Sequence, residues 1–136
     1  MLHRRRRPPP FVVIAVIAVA LGACGSSGPA ARPKTPATLQ ILALEPNAQV
    51  GPDVDVRVVL RHAHLVPSMQ IGGTVRPREG HLHFSLDGRI VAMTNKLSEP
   101  LRNLTPGEHT VGVEFVAADH LPFANHVVAA VSFQVT

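Results

Sequence analysis

At 136 residues the chain is long enough for one domain of ordinary size. It has no Trp and no Tyr, so the usual stacking platforms for sugars and exposed bases are missing. Cys24 is its one cysteine, which excludes an intrachain disulfide, and the formal net charge of +4 owes everything to four consecutive arginines, Arg4 to Arg7.

Those arginines precede Pro8-Pro9-Pro10 and an apolar run from Phe11 to Ala20, which leads into Leu21-Gly22-Ala23-Cys24. A basic start, an apolar stretch of about ten residues and a small-residue cleavage site form the layout of a secretory signal. The apolar run falls short of the roughly 20 residues that a membrane-spanning helix takes. Leu21-Gly22-Ala23-Cys24 resembles the lipobox of bacterial lipoproteins. The resemblance implies a signal peptide over residues 1–23, cleavage before Cys24, and an acyl chain on the Cys24 sulfur. It places the mature protein on the extracytoplasmic face of a cell membrane, held there by its N-terminal lipid. Cleavage also removes Arg4 to Arg7, so 13 Lys+Arg become 9, equal to the 9 Asp+Glu. No basic stripe survives, and a nucleic-acid partner is not expected. An acylated Cys24 is likewise no metal ligand or nucleophile.

Residues 24–37 are rich in glycine, serine, proline and alanine and read as a flexible tether. Fully extended, they reach at most about 45 Å. Residues 38–136 then make one domain, and that domain reads as strands throughout.

Thr38 to Leu44 is apolar and ends at Glu45-Pro46-Asn47. In Val54 to Leu60 the residues Val54, Val56, Val58 and Leu60 share one face. His81 to Leu86 alternates as well, with Leu82, Phe84 and Leu86 on the apolar side. Asp87-Gly88 is a two-residue hairpin signal, which brings Arg89 to Thr94 back with Val91 opposite Phe84. Thr105-Pro106-Gly107-Glu108 supplies the next turn, before His109 to Val116 with Val111, Val113 and Phe115 inward. Val127 to Val135 closes the chain with Val131, Phe133 and Val135 inward. About seven short strands separated by turn signals predict an all-β fold, an antiparallel immunoglobulin-like sandwich. Gly80-His-Leu-His-Phe-Ser-Leu-Asp-Gly88, Leu104-Thr-Pro-Gly-Glu-His-Thr-Val111 and Ala118-Asp-His120 resemble bacterial immunoglobulin-like domains, among them lipoprotein families without a settled function. The resemblance therefore implies the fold and no activity.

Histidine is the only concentrated chemistry. Of 8 histidines, His3 lies in the signal segment, which leaves His62, His64, His81, His83, His109, His120 and His126. Two pairs are spaced i, i+2, so each pair faces one side of an extended chain, about 6.5 Å apart. Immunoglobulin strand order carries six of these seven to one pole and His109 to the other. His62 and His64 follow an inward register, whereas His81 and His83 face away from Leu82 and Phe84, so one ion is not expected to collect all four. His81, His83, His120, His126 and Asp119 are the candidate ligands, suited to Zn²⁺ or Cu²⁺. Ser85 and Ser132 sit in no nucleophile elbow, so no catalytic residue is expected.

Two functional readings follow. In one, the domain is a non-enzymatic binding module that meets a protein or envelope partner through loops or an edge strand, with no cofactor. In the other it is a Zn- or Cu-binding lipoprotein. Both rest on the anchor, which has its own test. Cys24→Ser removes the acyl acceptor and should abolish incorporation of labelled fatty acid. Undiminished labelling of that variant would sink the lipoprotein assignment.

Overall fold

A computed structural model of the chain describes residues 31–68 and 74–136. The expected signal peptide, Cys24 and the first part of the tether lie outside the described residues. Among the described residues there is no helix, and the strands are β1 (Thr38–Ile41), β2 (Gln49–Val50), β3 (Val54–Arg61), β4 (His64–Leu65), β5 (Glu79–Leu86), β6 (Arg89–Thr94), β7 (Ser98–Leu101), β8 (Gly107–Ala117) and β9 (Pro122–Val135). One sheet has the order β1-β3-β7 and is antiparallel. The other runs β2-β9-β8-β5, with β4 and β6 both paired to β5. With β1, β3 and β7 on one side and β6, β5, β8 and β9 on the other, the order is immunoglobulin-like, and the short β2 and β4 add parallel pairs to β9 and β5.

Alternation explains why the two sheets close on each other. Val54, Val56 and Val58 from β3 meet Leu82 and Phe84 from β5, Val111, Val113 and Phe115 from β8, and Val131, Phe133 and Val135 from β9 in one core. The intervening Ser85 and Glu114 are half-buried and Gln134 is exposed, as the period of two requires. Asp87 and Gly88 take φ of 50° and 80°, the two positive values that a type I′ hairpin needs. The return strand corrects one expectation. A bulge between Phe84 and Ser85 pairs Ser85 with Ile90 and Phe84 with Ala92, so Val91 is the extra residue. Ala92 packs against the core while Val91 is exposed.

The tether is also shorter than its composition implies. Residues 31–37 lie against the domain, and the compact unit starts at Ala31. Thr35 and Ala37 are buried. The cause lies in β9, whose pairing to β8 jumps from Phe115↔Val127 to Val116↔Pro122. The excursion between those pairs needs other partners for its polar groups. Pro33 O accepts from Ala124 N at 3.0 Å, and Asn125 exchanges 2.8 Å hydrogen bonds with the backbone N and O of Thr35. Phe123, at the same excursion, turns inward and stacks on Phe115 with ring centroids 5.3 Å apart.

Phe115 therefore carries the core where β8 and β9 meet, and residues 31–37 form a strap whose Ala37 joins the same buried cluster. Phe115→Ala should cost about 3–5 kcal/mol, the usual range for a fully buried ring. Thermal or denaturant unfolding reads the cost, and an unchanged midpoint would mean that this ring is not packed.

Candidate metal centre

Two strands and one turn build the histidine cluster. Gly80 opens it: a Cβ there would lie 1.9 Å from Val116 O, so only glycine lets β5 approach β8 this closely. The next pairs are His81↔Val116, Leu82↔Phe115 and His83↔Glu114. Leu82 and Phe84 fill the core, which turns His81 and His83 to the opposite face. That face is covered here, and both imidazoles are buried, His81 completely. His120 comes from the tight β8–β9 turn. It holds φ of 63°, a left-handed conformation that histidine enters more readily than most residues. Its N–H donates to Ala117 O at 2.9 Å, and Ala117 N donates to Leu121 O at 3.1 Å.

The three rings meet at their nitrogens. His81 Nε2 lies 3.0 Å from His83 Nε2 and 3.0 Å from His120 Nδ1. All three ligand atoms fall within 4.8 Å of one another. A neutral ring nitrogen carries either one proton or one lone pair. His81 Nε2 therefore cannot complete good hydrogen bonds to both neighbours at once. His81 Nδ1 is buried with no hydrogen-bond partner among the described residues. It is orphaned in either tautomer, so the frustration is not relieved by moving the proton.

Protonation offers no escape either. Burial pushes the His81 imidazole down to about 4, with the His120 and His83 rings adding to the shift. His83 is lowered by burial and then by His120, against a smaller opposing pull from Glu114. Near neutral pH His81 and His83 are thus uncharged, the form in which imidazole binds metals. An ion bonded at about 2.0–2.1 Å to each of three nitrogens would hold them about 3–3.4 Å apart. Two of the three separations, His81 Nε2 to His83 Nε2 and to His120 Nδ1, are at 3.0 Å, and the third falls within 4.8 Å. One cation can thus take a lone pair from each ring after a small adjustment of the rings.

Asp119 and His126, the other two candidates, stand outside this group. Both Asp119 carboxylate oxygens face the Arg32 guanidinium: Oδ2 accepts from Nη1, and Oδ1 from Nη2 at 3.0 Å. The hydrogen bond from Arg32 holds the Asp119 carboxyl below its ordinary range, against a smaller effect of burial. His126 is expected at the same pole, in or beside the loop between the last two strands. In the structure β8 and β9 are long and the turn occupies only residues 118–121, so His126 lies on β9, exposed, with Nδ1 2.9 Å from Glu114 Oε1. His62 and His64 are exposed. Arg32 was not among the expected site residues, because nothing in a proline-rich stretch marks one arginine as a clamp.

His109 stands apart, as the strand order requires. Its Nδ1 lies 2.7 Å from Asp87 Oδ2 and its Nε2 2.8 Å from Thr105 O. Both neighbours are acceptors, so the ring is best satisfied as an imidazolium donating twice. Its titration is raised accordingly, chiefly by Asp87 and then by the Thr105 carbonyl.

No family model matches the chain, and no curated protein matches it. Several solved β-structures are similar. The fibronectin(III)-like modules of Clostridium thermocellum CbhA align at 10% identity over 73% of this chain and 96% of theirs, with a TM-score of 0.44. The PKD domain from human KIAA0319 aligns at 18% identity over 85% of this chain and 92% of its own, with a TM-score of 0.45. The endo-beta-1,4-mannanase from Thermotoga petrophila aligns at 12% identity and a TM-score of 0.48, over 74% of this chain but only 20% of the enzyme. At such scores these likenesses carry no argument about activity, and the immunoglobulin-like assignment rests on the strand order itself.

The two histidine environments give pH dependences of opposite sign. His81 titrates lower folded than unfolded, so its contribution is present above about 6.5 and is lost as pH falls toward about 4. His109 titrates higher folded than unfolded, so its contribution is present below about 6.5 and is lost as pH rises through the raised value. Denaturant midpoints of the metal-free chain across pH 4–9 should fall at both ends. His81→Leu should flatten the acid limb and His109→Gln the alkaline limb. An acid limb untouched by His81→Leu would contradict the buried neutral imidazole.

Proposed function

We propose that this chain is a lipid-anchored, extracytoplasmic binding module without enzymatic activity, and that its ligand is a d-block metal ion held by His81, His83 and His120. One observation carries the metal reading. The His83 Nε2 and His120 Nδ1 atoms both converge on His81 Nε2, a completely buried imidazole whose hydrogen bonding the two neighbours cannot complete together. An all-nitrogen set suits Cu²⁺ and Zn²⁺. The anchor follows from the resemblance of residues 21–24 to a lipobox.

A second reading has its own support. Among the described residues β6 pairs with β5 alone, and Ile90, Val91 and Met93 along it are about half exposed. An apolar edge strand of this kind can accept a strand from a partner protein.

Calorimetry of the tag-free chain with Zn²⁺ and Cu²⁺ separates the two. One ion per chain should bind, His81→Ala/His83→Ala should abolish binding, and His126→Ala should leave it intact. No heat in the parent chain, or heat that survives the double substitution, would retire this site and leave the edge-strand reading ahead.

A further inference from the structure

The third ligand sits on a turn, and the turn is gripped from outside the two sheets. Arg32 aims its whole guanidinium at it. Nη1 and Nη2 meet the two Asp119 carboxylate oxygens, Nη2 also donates to Leu121 O at 2.9 Å, and Nε donates to Pro122 O at 2.9 Å. Every residue from 119 to 122 except His120 thus has an atom bound by this one side chain. Asp119 Oδ1 in turn accepts from Leu121 N at 3.2 Å, closing the turn on itself. The planar fork of arginine can span a carboxylate and two carbonyls together, which lysine cannot.

His120 lies between the gripped residues. Its left-handed backbone persists only if its surroundings hold it. Its ring must also deliver Nδ1 to within 3.0 Å of His81 Nε2. His81 and His83 need no such help, because their strand is fixed by hydrogen bonds on both sides. We infer that Arg32 is the positioning residue of the metal centre: by clamping Asp119, Leu121 and Pro122 it fixes the backbone of His120 and hence the third ligand. The inference rests on the metal reading above. It gives the segment ahead of β1 a function, since the strap that fills the excursion in β9 also presents Arg32 to the turn.

The experiment combines a metal readout with a metal-free one, on the full tag-free chain. With Cu²⁺ as the probe, pulsed electron paramagnetic resonance counts the coordinated imidazoles. The parent chain should show three, and Arg32→Ala and His120→Ala two each. Arg32→Ala should weaken Cu²⁺ binding about 10–100-fold, the usual loss when a ligand's support is removed. Arg32→Lys should not restore it. In the His120→Ala background Arg32→Ala should cost nothing more, since the ligand it positions is already gone. Three imidazoles in Arg32→Ala, or an additive loss in the double variant, would overturn the proposal. Amide hydrogen exchange on the metal-free chain supplies the other arm. Arg32→Ala should speed exchange at the Ala117 and His120 amides and leave those of Leu82 and Phe84 protected. Unchanged exchange at Ala117 and His120 sinks the clamp even if the metal binds. A parent chain that binds no Cu²⁺ sinks the metal reading and with it the role assigned to Arg32, whatever the exchange shows.

Discussion

The pairing of β5 with β8 sets the positions of His81 and His83 and the point from which the turn bearing His120 departs. It runs in unbroken register from Gly80↔Ala117 to Leu86↔Val111. Because side chains alternate, fixing Leu82 and Phe84 in the core leaves His81 and His83 no choice of face. Because Gly80 has no Cβ, the two strands close tightly at the end where His81 begins. The same strand end, Ala117, receives the N–H of His120 and so starts the turn that carries the third ring. Hydrophobic burial on one face of β5 thereby pays for order on the other, where the groups are polar and poorly satisfied by each other.

Much of this is legible in the sequence. Alternation in residues 54–60, 81–86, 109–116 and 127–135 marks the inward residues, and Asp87-Gly88 marks the hairpin, because both follow from local backbone chemistry. The sharing of one face by His81 and His83 follows from spacing alone. The bulges do not. They carry no composition signal in this chain, and each moves a residue whose role depends on register: Val91 yields its place to Ala92, and the excursion in β9 turns Phe123 into the core.

The strap was illegible for a different reason. Residues 31–37 have the proline and small residues of a linker, and most of their binding comes from what the domain offers them. The unpaired backbone of β9 and the carboxylate of Asp119 are long-range partners, about 90 positions away. Asp119 itself looked like a ligand because aspartate beside histidine usually suggests one. Its charge is already matched by Arg32, and a carboxylate so engaged supports its neighbour more readily than it binds an ion.

A cluster like this is costly to the protein that carries it. Burying imidazoles whose nitrogens compete for one partner leaves polar groups unsatisfied, each at about 1–3 kcal/mol. Apolar residues at positions 81 and 83 would remove that cost without disturbing the alternation that builds β5. Native sequences break such local rules mostly at functional sites, which is why the frustration itself argues for a ligand. On the proposed reading the ion relieves it, so binding and stability are one equilibrium. The bound state gains RT ln(1 + [M]/Kd), about 2.7 kcal/mol at a hundredfold excess over Kd. That gain acts at the junction of β5, β8 and the turn, where the Arg32 strap also docks. On that reading, metal occupancy, the order of the turn and the seating of residues 31–37 rise and fall together.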